Sequence, residues 1–201
     1  MQKLVLLFGL SLIIVSCNEN KEGSSLEKQG IQKTYYENGQ LKSEQNWKDG
    51  RWNGIQKFYF VNGQLREEIK YKDGKMNGIE KKYHSNGQLK SEMNYKDDIK
   101  NGIEKEYFEN GQLDREYNWK DGKMNGIVKN YYSNGQLESE KNFKDNMGDG
   151  IQKTYYPNGQ LKNEWNWKDG KRDGIQKTYH PNGLLKTKKK YKDGILIKRI
   201  I

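Results

Sequence analysis

The chain repeats itself every 24 residues, and this period limits the fold more than any other feature. IQKTYYENGQLKSEQNWKDG at 31–50 returns as IQKTYYPNGQLKNEWNWKDG at 151–170, with seventeen of twenty letters unchanged. From Gly30 the chain divides without a gap into seven units, each opening Gly-Ile, that start at 30, 54, 78, 102, 126, 150 and 174. Ile31, Lys33, Tyr35, Asn38-Gly39 and Leu41 recur in all seven, as do an aromatic at the Trp47 position and Lys48-Asp49. A fixed period of this size marks a repeat architecture in which each unit buries its apolar surface against its neighbours.

Each unit holds two alternating stretches, GIQKTYY and QLKSEQNW, separated by Asn-Gly and closed by Asp-Gly, which is the pattern of a β-hairpin. Pro157 and Pro181 stand just before Asn-Gly, a position that suits i+1 of a type I turn with glycine in the left-handed region. A three-residue loop therefore places Tyr35 opposite Leu41. On this register Ile31, Tyr35, Leu41 and Trp47 share one face, while Gln32, Thr34, Tyr36, Gln40, Lys42, Glu44 and Asn46 share the other. The expected fold is all-β: an elongated, single-layer antiparallel meander of seven hairpins. It would have about fourteen strands and a length on the order of 65 Å. Two departures, Asp97-Asp98 and Asp145-Asn146, fall in one loop column and leave the strands intact.

The pattern G-I-x-K-x-Y-Y-x-N-G-Q-L-x-x-E-x-x-W-K-D-G resembles the MORN repeat variant, the unit of the YwqK-type family that includes antitoxins of toxin–antitoxin systems. The resemblance covers residues 30–197 and leaves a short tail at 198–201. It implies a curved single-layer sheet used for protein or membrane contacts. The antitoxin role belongs to some relatives only.

Residues 1–16 differ from all that follows: Lys3, then the apolar run LVLLFGLSLII, then Ile14-Val15-Ser16-Cys17. Eleven such residues are too few to span a bilayer, which needs about 20, but they suit a signal-peptide core. The segment resembles a bacterial lipoprotein signal with lipidation at Cys17. Residues 17–29 read as the lipidated cysteine and a flexible tether. The expected location is the cell envelope, anchored at the membrane and facing the periplasm or exterior. As Cys17 is the only cysteine, the chain has no internal disulfide and no cysteine-based zinc site.

No residue breaks the repeat in the way a catalytic constellation would, so a non-enzymatic protein without cofactor is expected. His84 and His180 share a column with Tyr36, Phe60 and Phe108, four repeats and about 38 Å apart, too far for one metal site. DGKMNG at 121–126 begins like a calcium loop, but Lys123 stands where a ligand is needed and Tyr132 where the closing Glu belongs.

Formal charge is +10, and residues 174–201 carry eight basic side chains against one acidic. The cluster Lys186, Lys188, Lys189 and Lys190 reads first as protection of an open sheet edge and second as attraction to anionic headgroups. Nucleic acid is not an expected partner for an exported protein. The expected binding face is a double row of rings. One row is Tyr35, Tyr59, Tyr83, Tyr107, Tyr131, Tyr155 and Tyr179; the other is Trp47, Tyr71, Tyr95, Trp119, Phe143, Trp167 and Tyr191. Tyrosine and tryptophan are enriched at protein interfaces, so the expected ligand is a protein partner, such as a toxin or an envelope protein. The rival is an envelope glycan stacked on the rings, since the repeat is loosely similar to aromatic hairpin repeats of choline- and glucan-binding modules.

Overall fold

The computed structural model describes residues 27–201. The expected signal peptide, Cys17 and most of the tether lie outside the described residues. Eighteen strand segments form one antiparallel sheet, the first Gly30–Tyr35 and the last Ile195–Arg199. Each pass across the sheet pairs with the passes before and after it in sequence. Three strands are interrupted by one residue, at Asn53, Asn125 and Asp149, so the eighteen segments make fifteen passes across the sheet. The pass beyond the expected fourteen is ILIKR, which pairs with the strand before it through Tyr191 and Leu196.

The Asn-Gly loop has the expected form. Tyr36 N–H donates to Gln40 O at 2.8 Å, Gly39 N–H donates to Tyr36 O at 2.9 Å, and Gly39 has φ 82°. Glycine is needed there because a Cβ disfavours positive φ. The Asp-Gly loop is a two-residue turn with both residues in the left-handed region, Asp49 at φ 49° and Gly50 at φ 70°, the hairpin turn whose twist matches that of the strands. Where Gly is missing, Asp98 (φ 66°) and Asn146 (φ 69°) adopt the same conformation. Their side chains accept the N–H of Met76 and Met124 in the preceding turn.

The expected faces are corrected by one residue. Tyr35 does oppose Leu41, but Thr34 opposes Ser43, so Lys42 is an extra residue in a bulge. Beyond it Lys33 faces Glu44, Ile31 faces Asn46 and Gly30 faces Trp47. Opposed residues share a face, so Ile31 and Trp47 stand on opposite sides of the sheet. One side, the isoleucine face, presents Ile31, Lys33, Tyr35, Leu41, Glu44 and Asn46. The other, the tryptophan face, presents Gln32, Thr34, Ser43, Gln45 and Trp47. The bulge recurs in every hairpin.

What little core exists lies on the tryptophan face. Its buried members, Gln56, Ile69, Glu80, Met93, Val128 and Gln176 among them, form one row across the strands. Gln56 is fully buried because it completes the sheet at a second bulge. Its Oε1 accepts the Asn46 N–H at 2.9 Å, and its Nε2 donates to Asn46 O at 3.0 Å. The side-chain amide thus takes over the groups that the ladder leaves open, and a buried polar side chain costs little once paired.

Repeats are latched along both edges. At the Asn-Gly edge the Asn38 amide accepts the Gln40 N–H and donates to Val61 O of the next repeat. Tyr36 Oη donates to Tyr59 O at 2.6 Å, and Tyr132 and Tyr156 make the same contact. At the other edge Gly74 N–H donates to Trp52 O and Gly122 N–H to Lys100 O. Each repeat therefore bonds chiefly to its neighbours, as a quasi-one-dimensional array does.

Candidate functional site

The two faces differ in how much they vary along the chain. On the isoleucine face one row alternates in sign from the first strand to Lys177, and only the last pair, Lys177 and Lys188, is of like charge. It runs Lys33, Glu44, Lys57, Glu68, Lys81, Glu92, and so on to Glu164, Lys177 and Lys188, each residue opposed to the next. Lys33 reaches Glu44 at 3.2 Å and Lys177 reaches Glu164 at 2.8 Å. Such solvent-screened cross-strand pairs are weak singly, and it is their repetition along the row that makes them count. Beside the ladder Ile31, Ile55, Ile79, Ile103, Ile127 and Ile151 stand exposed. Every repeat shows nearly the same surface here.

The tryptophan face is different in each repeat. The position that opposes the Trp47 row across the Asp-Gly turn holds Trp52, Met76, Lys100, Met124, Gly148, Arg172 and Leu196 in turn. The Gln45 position holds Ile69, Met93, Tyr117, Lys141, Trp165 and Lys189 in later repeats. Rings meet edge to face: Trp52 lies 5.9 Å from Trp47, 6.4 Å from Phe58 and 4.9 Å from Tyr71. Cations cover ring faces, with Lys28 4.5 Å above Trp47 and Lys100 4.7 Å above Trp119, an attraction worth about 0.5–1 kcal/mol at exposed sites.

A cleft of about 500 Å³ opens on this face between the third and fourth repeats, lined by Glu80, Lys82, His84, Tyr95, Lys100 and Glu104 among others. Lys100 donates to both oxygens of Glu104 at 2.9 Å, and the Trp119 indole donates to the same carboxylate. Lys82 lies 3.1 Å from Glu80 and 3.6 Å from Glu67. Burial, with the negative charges of Glu80 and Glu104 beside it, pushes the Tyr95 phenol up to about 12. These groups are paired with one another and aim at no common point, so the cleft is shaped for contact. Further clefts of about 240, 260 and 320 Å³ open on the same face. His84 serves as a latch, its Nε2–H donating to Tyr107 O at 3.0 Å, the role Tyr36 plays in the first repeat. Among the described residues no three His, Cys, Asp or Glu side chains come together as a metal site would require.

The expected double row of rings is split. Tyr35, Tyr59, Tyr83, Tyr107, Tyr131, Tyr155 and Tyr179 oppose the Leu41 positions on the isoleucine face. Trp47, Tyr71, Tyr95, Trp119, Phe143, Trp167 and Tyr191 oppose glycines on the tryptophan face. The basic cluster is split as well. Lys188 and Lys190 oppose Lys177 and Ile175 on the isoleucine face, while Lys189 opposes Gln176 and Arg199 on the other. Lys186 holds the position that Lys162 holds one repeat earlier. Sequence reasoning added Trp52 and Trp165 to the aromatic rows but missed the contribution of Ile69, Met93 and Tyr117 to the tryptophan face. Their apolar character at a position also filled by Gln and Lys was the available signal.

Comparison with known families finds that the profile described as MORN repeat variant matches seven segments, residues 28–49, 52–73, 76–97, 100–121, 124–145, 148–169 and 172–193. A search of curated proteins returned no match.

Proposed function

The chain belongs to the MORN repeat variant family, and from that premise we propose that it is a non-enzymatic scaffold whose tryptophan face docks a protein partner. The observation that carries this reading is the contrast between the faces. A surface that repeats every 24 residues offers the same contact seven times, whereas one that changes with each repeat can recognise one particular partner. The tryptophan face also has the clefts, the half-buried rings and the charged rim of a protein interface. Several of its rings, Trp47, Tyr71, Trp119 and Trp165 among them, are met by a cation or by the edge of another ring, which reduces the flat surface on which a sugar could stack and favours a protein over a glycan.

The lipoprotein-like segment ending at Cys17 supports anchoring to a membrane of the cell envelope, with the sheet held off the bilayer by the tether. An immunity role like that of the antitoxin relatives is the finer form of the same reading: the partner would then be a toxin.

Capture of envelope proteins by the full-length chain tests the docking face. Tyr71→Ala with Trp167→Ala should lose a partner that Lys57→Ala with Lys129→Ala retains. A partner lost only with the second pair assigns docking to the isoleucine face instead. For the anchor, Cys17→Ala should move the protein out of the membrane fraction; unchanged retention there rules out lipidation as the anchor.

A further inference from the structure

Cations on the tryptophan face are neutralised in the middle of the array and left unpaired at its end. In the third and fourth repeats Lys82 pairs with Glu67 and Glu80, Lys100 with Glu104, and Arg115 with Glu106 and Asp114. In the last two repeats the matching positions hold Gln152, Thr154, Gln176 and Thr178, and no carboxylate faces this way. Lys162, Arg172, Lys186 and Lys189 make no ion pair among the described residues. The acidic groups nearest Arg172 and Lys189 are engaged elsewhere, Glu164 with Lys177 on the isoleucine face and Asp173 with Lys192 at the turn; Lys162 alone shares its cleft with a carboxylate, Glu138.

Arg172 is the centre of this region. Its guanidinium lies 4.9 Å from the Trp165 ring, 5.6 Å from Tyr191 and 5.9 Å from Trp167. Three rings hold the long side chain in place without satisfying its five donors, so little rotamer freedom is left to lose when a carboxylate arrives. Lys189 stands on the adjacent strand, opposed to Arg199, which adds a further positive group to the same side.

We propose that the tryptophan face of the last two repeats binds an acidic peptide segment of the partner, with Arg172 and Lys189 receiving its carboxylates and Trp165, Trp167 and Tyr191 its apolar side chains. The proposal rests on the reading of this face as the docking face and names the chemistry of one end of it. The cations spread over four consecutive strands, about 15 Å, and alternate with rings, which fits a segment carrying several carboxylates better than a lone phosphate. The rings are half-buried between strands rather than projecting, so they are placed to receive side chains and not to enter a bilayer. Arg172 and Lys162 also stand inside the sheet, away from the final strand, so edge protection does not explain them.

The experiment is fluorescence anisotropy of the full-length chain with a labelled peptide of alternating glutamate and leucine. Binding should weaken about tenfold or more between low and high salt, and by a similar factor in Arg172→Gln with Lys189→Gln. Lys177→Gln, on the isoleucine face, should bind within about twofold of the native chain. Matched circular dichroism spectra keep the comparison one of folded proteins. Equal binding by the Arg172→Gln, Lys189→Gln variant overturns the proposal. So does displacement of the peptide by inorganic phosphate, or by phosphatidylglycerol vesicles, at concentrations where unlabelled peptide does not compete. If the proposal fails while the partner still contacts the tryptophan face of earlier repeats, the docking face itself stands.

Discussion

The indole N–H of Trp119 donates to Glu104 Oε2 at 2.7 Å, and Lys100 closes the group by reaching both oxygens of the same carboxylate while lying over the indole ring. The side chain of Glu104 is mostly out of water. Glu104→Ala would leave a buried indole N–H and an ammonium without an acceptor, at a cost of about 1–3 kcal/mol. Glu104→Gln with Lys100→Met removes both charges and places at 100 the residue that Met76 and Met124 show to fit. This double variant should lie within about 1 kcal/mol of the native chain. Urea unfolding, with hydrogen exchange of the fourth repeat as the local readout, checks the order of the three.

Tyr95 sets a pH dependence. Burial, helped by Glu80 and Glu104, holds its phenol in the neutral form up to about 12 in the folded chain, against about 10 for an ordinary tyrosine. The unfolded chain loses this proton first, so the stabilisation is fully present below pH about 10 and is lost as pH rises through about 12. Tyr95→Phe should flatten the fall in stability across that window, with no change in the pH dependence near neutrality. Alkaline unfolding followed by circular dichroism measures the slope.

Face assignment makes opposite forecasts for two apolar residues of adjacent repeats. Met93 is 2% exposed and fills the central row of the tryptophan face, so Met93→Ala should cost about 2–5 kcal/mol. Ile103 is 46% exposed on the other side, and Ile103→Ala should cost less than about 1 kcal/mol. Comparable losses in urea unfolding would contradict the register.

The turn, the strand pairs and the array were all legible in the sequence, and the faces were not. Pro157, Pro181 and Gly39 announce a three-residue loop, and that loop sets Tyr35 against Leu41. Carried on without a break, the same register would set Lys33 against Ser43 and leave Lys33 and Glu44 unmatched. The extra residue at Lys42 resolves the conflict, since it keeps the turn and brings Lys33 opposite Glu44, from which the charged ladder grows. Alternation alone could not reveal this, because both faces carry an apolar column in every repeat and a one-residue slip only exchanges them. The complementary signs of two recurring columns, Lys33 and Glu44, held the missing information.

The latches make whole repeats exchangeable. Residue 101 occupies in its unit the place that 77 occupies in the one before, so deletion of 78–101 rejoins Asn77 to Gly102 in the native sequence pattern. The shortened chain should keep its strand signal in far-ultraviolet circular dichroism and a cooperative unfolding transition. Deletion of 78–89 removes one pass, reverses the chain direction beyond it and should abolish that transition. Equal behaviour of the two deletions would mean that the hairpin is not the unit.

Lys153 and Thr154 are consecutive, yet Lys153 opposes Glu164 on the isoleucine face and Thr154 opposes Asn163 on the tryptophan face, where it lines a cleft. A photo-crosslinking amino acid placed at each position in turn, in cells that make the partner, therefore separates the faces with the smallest change of place. The docking reading predicts that position 154 captures the partner and position 153 does not. Capture from 153 with none from 154 would contradict it.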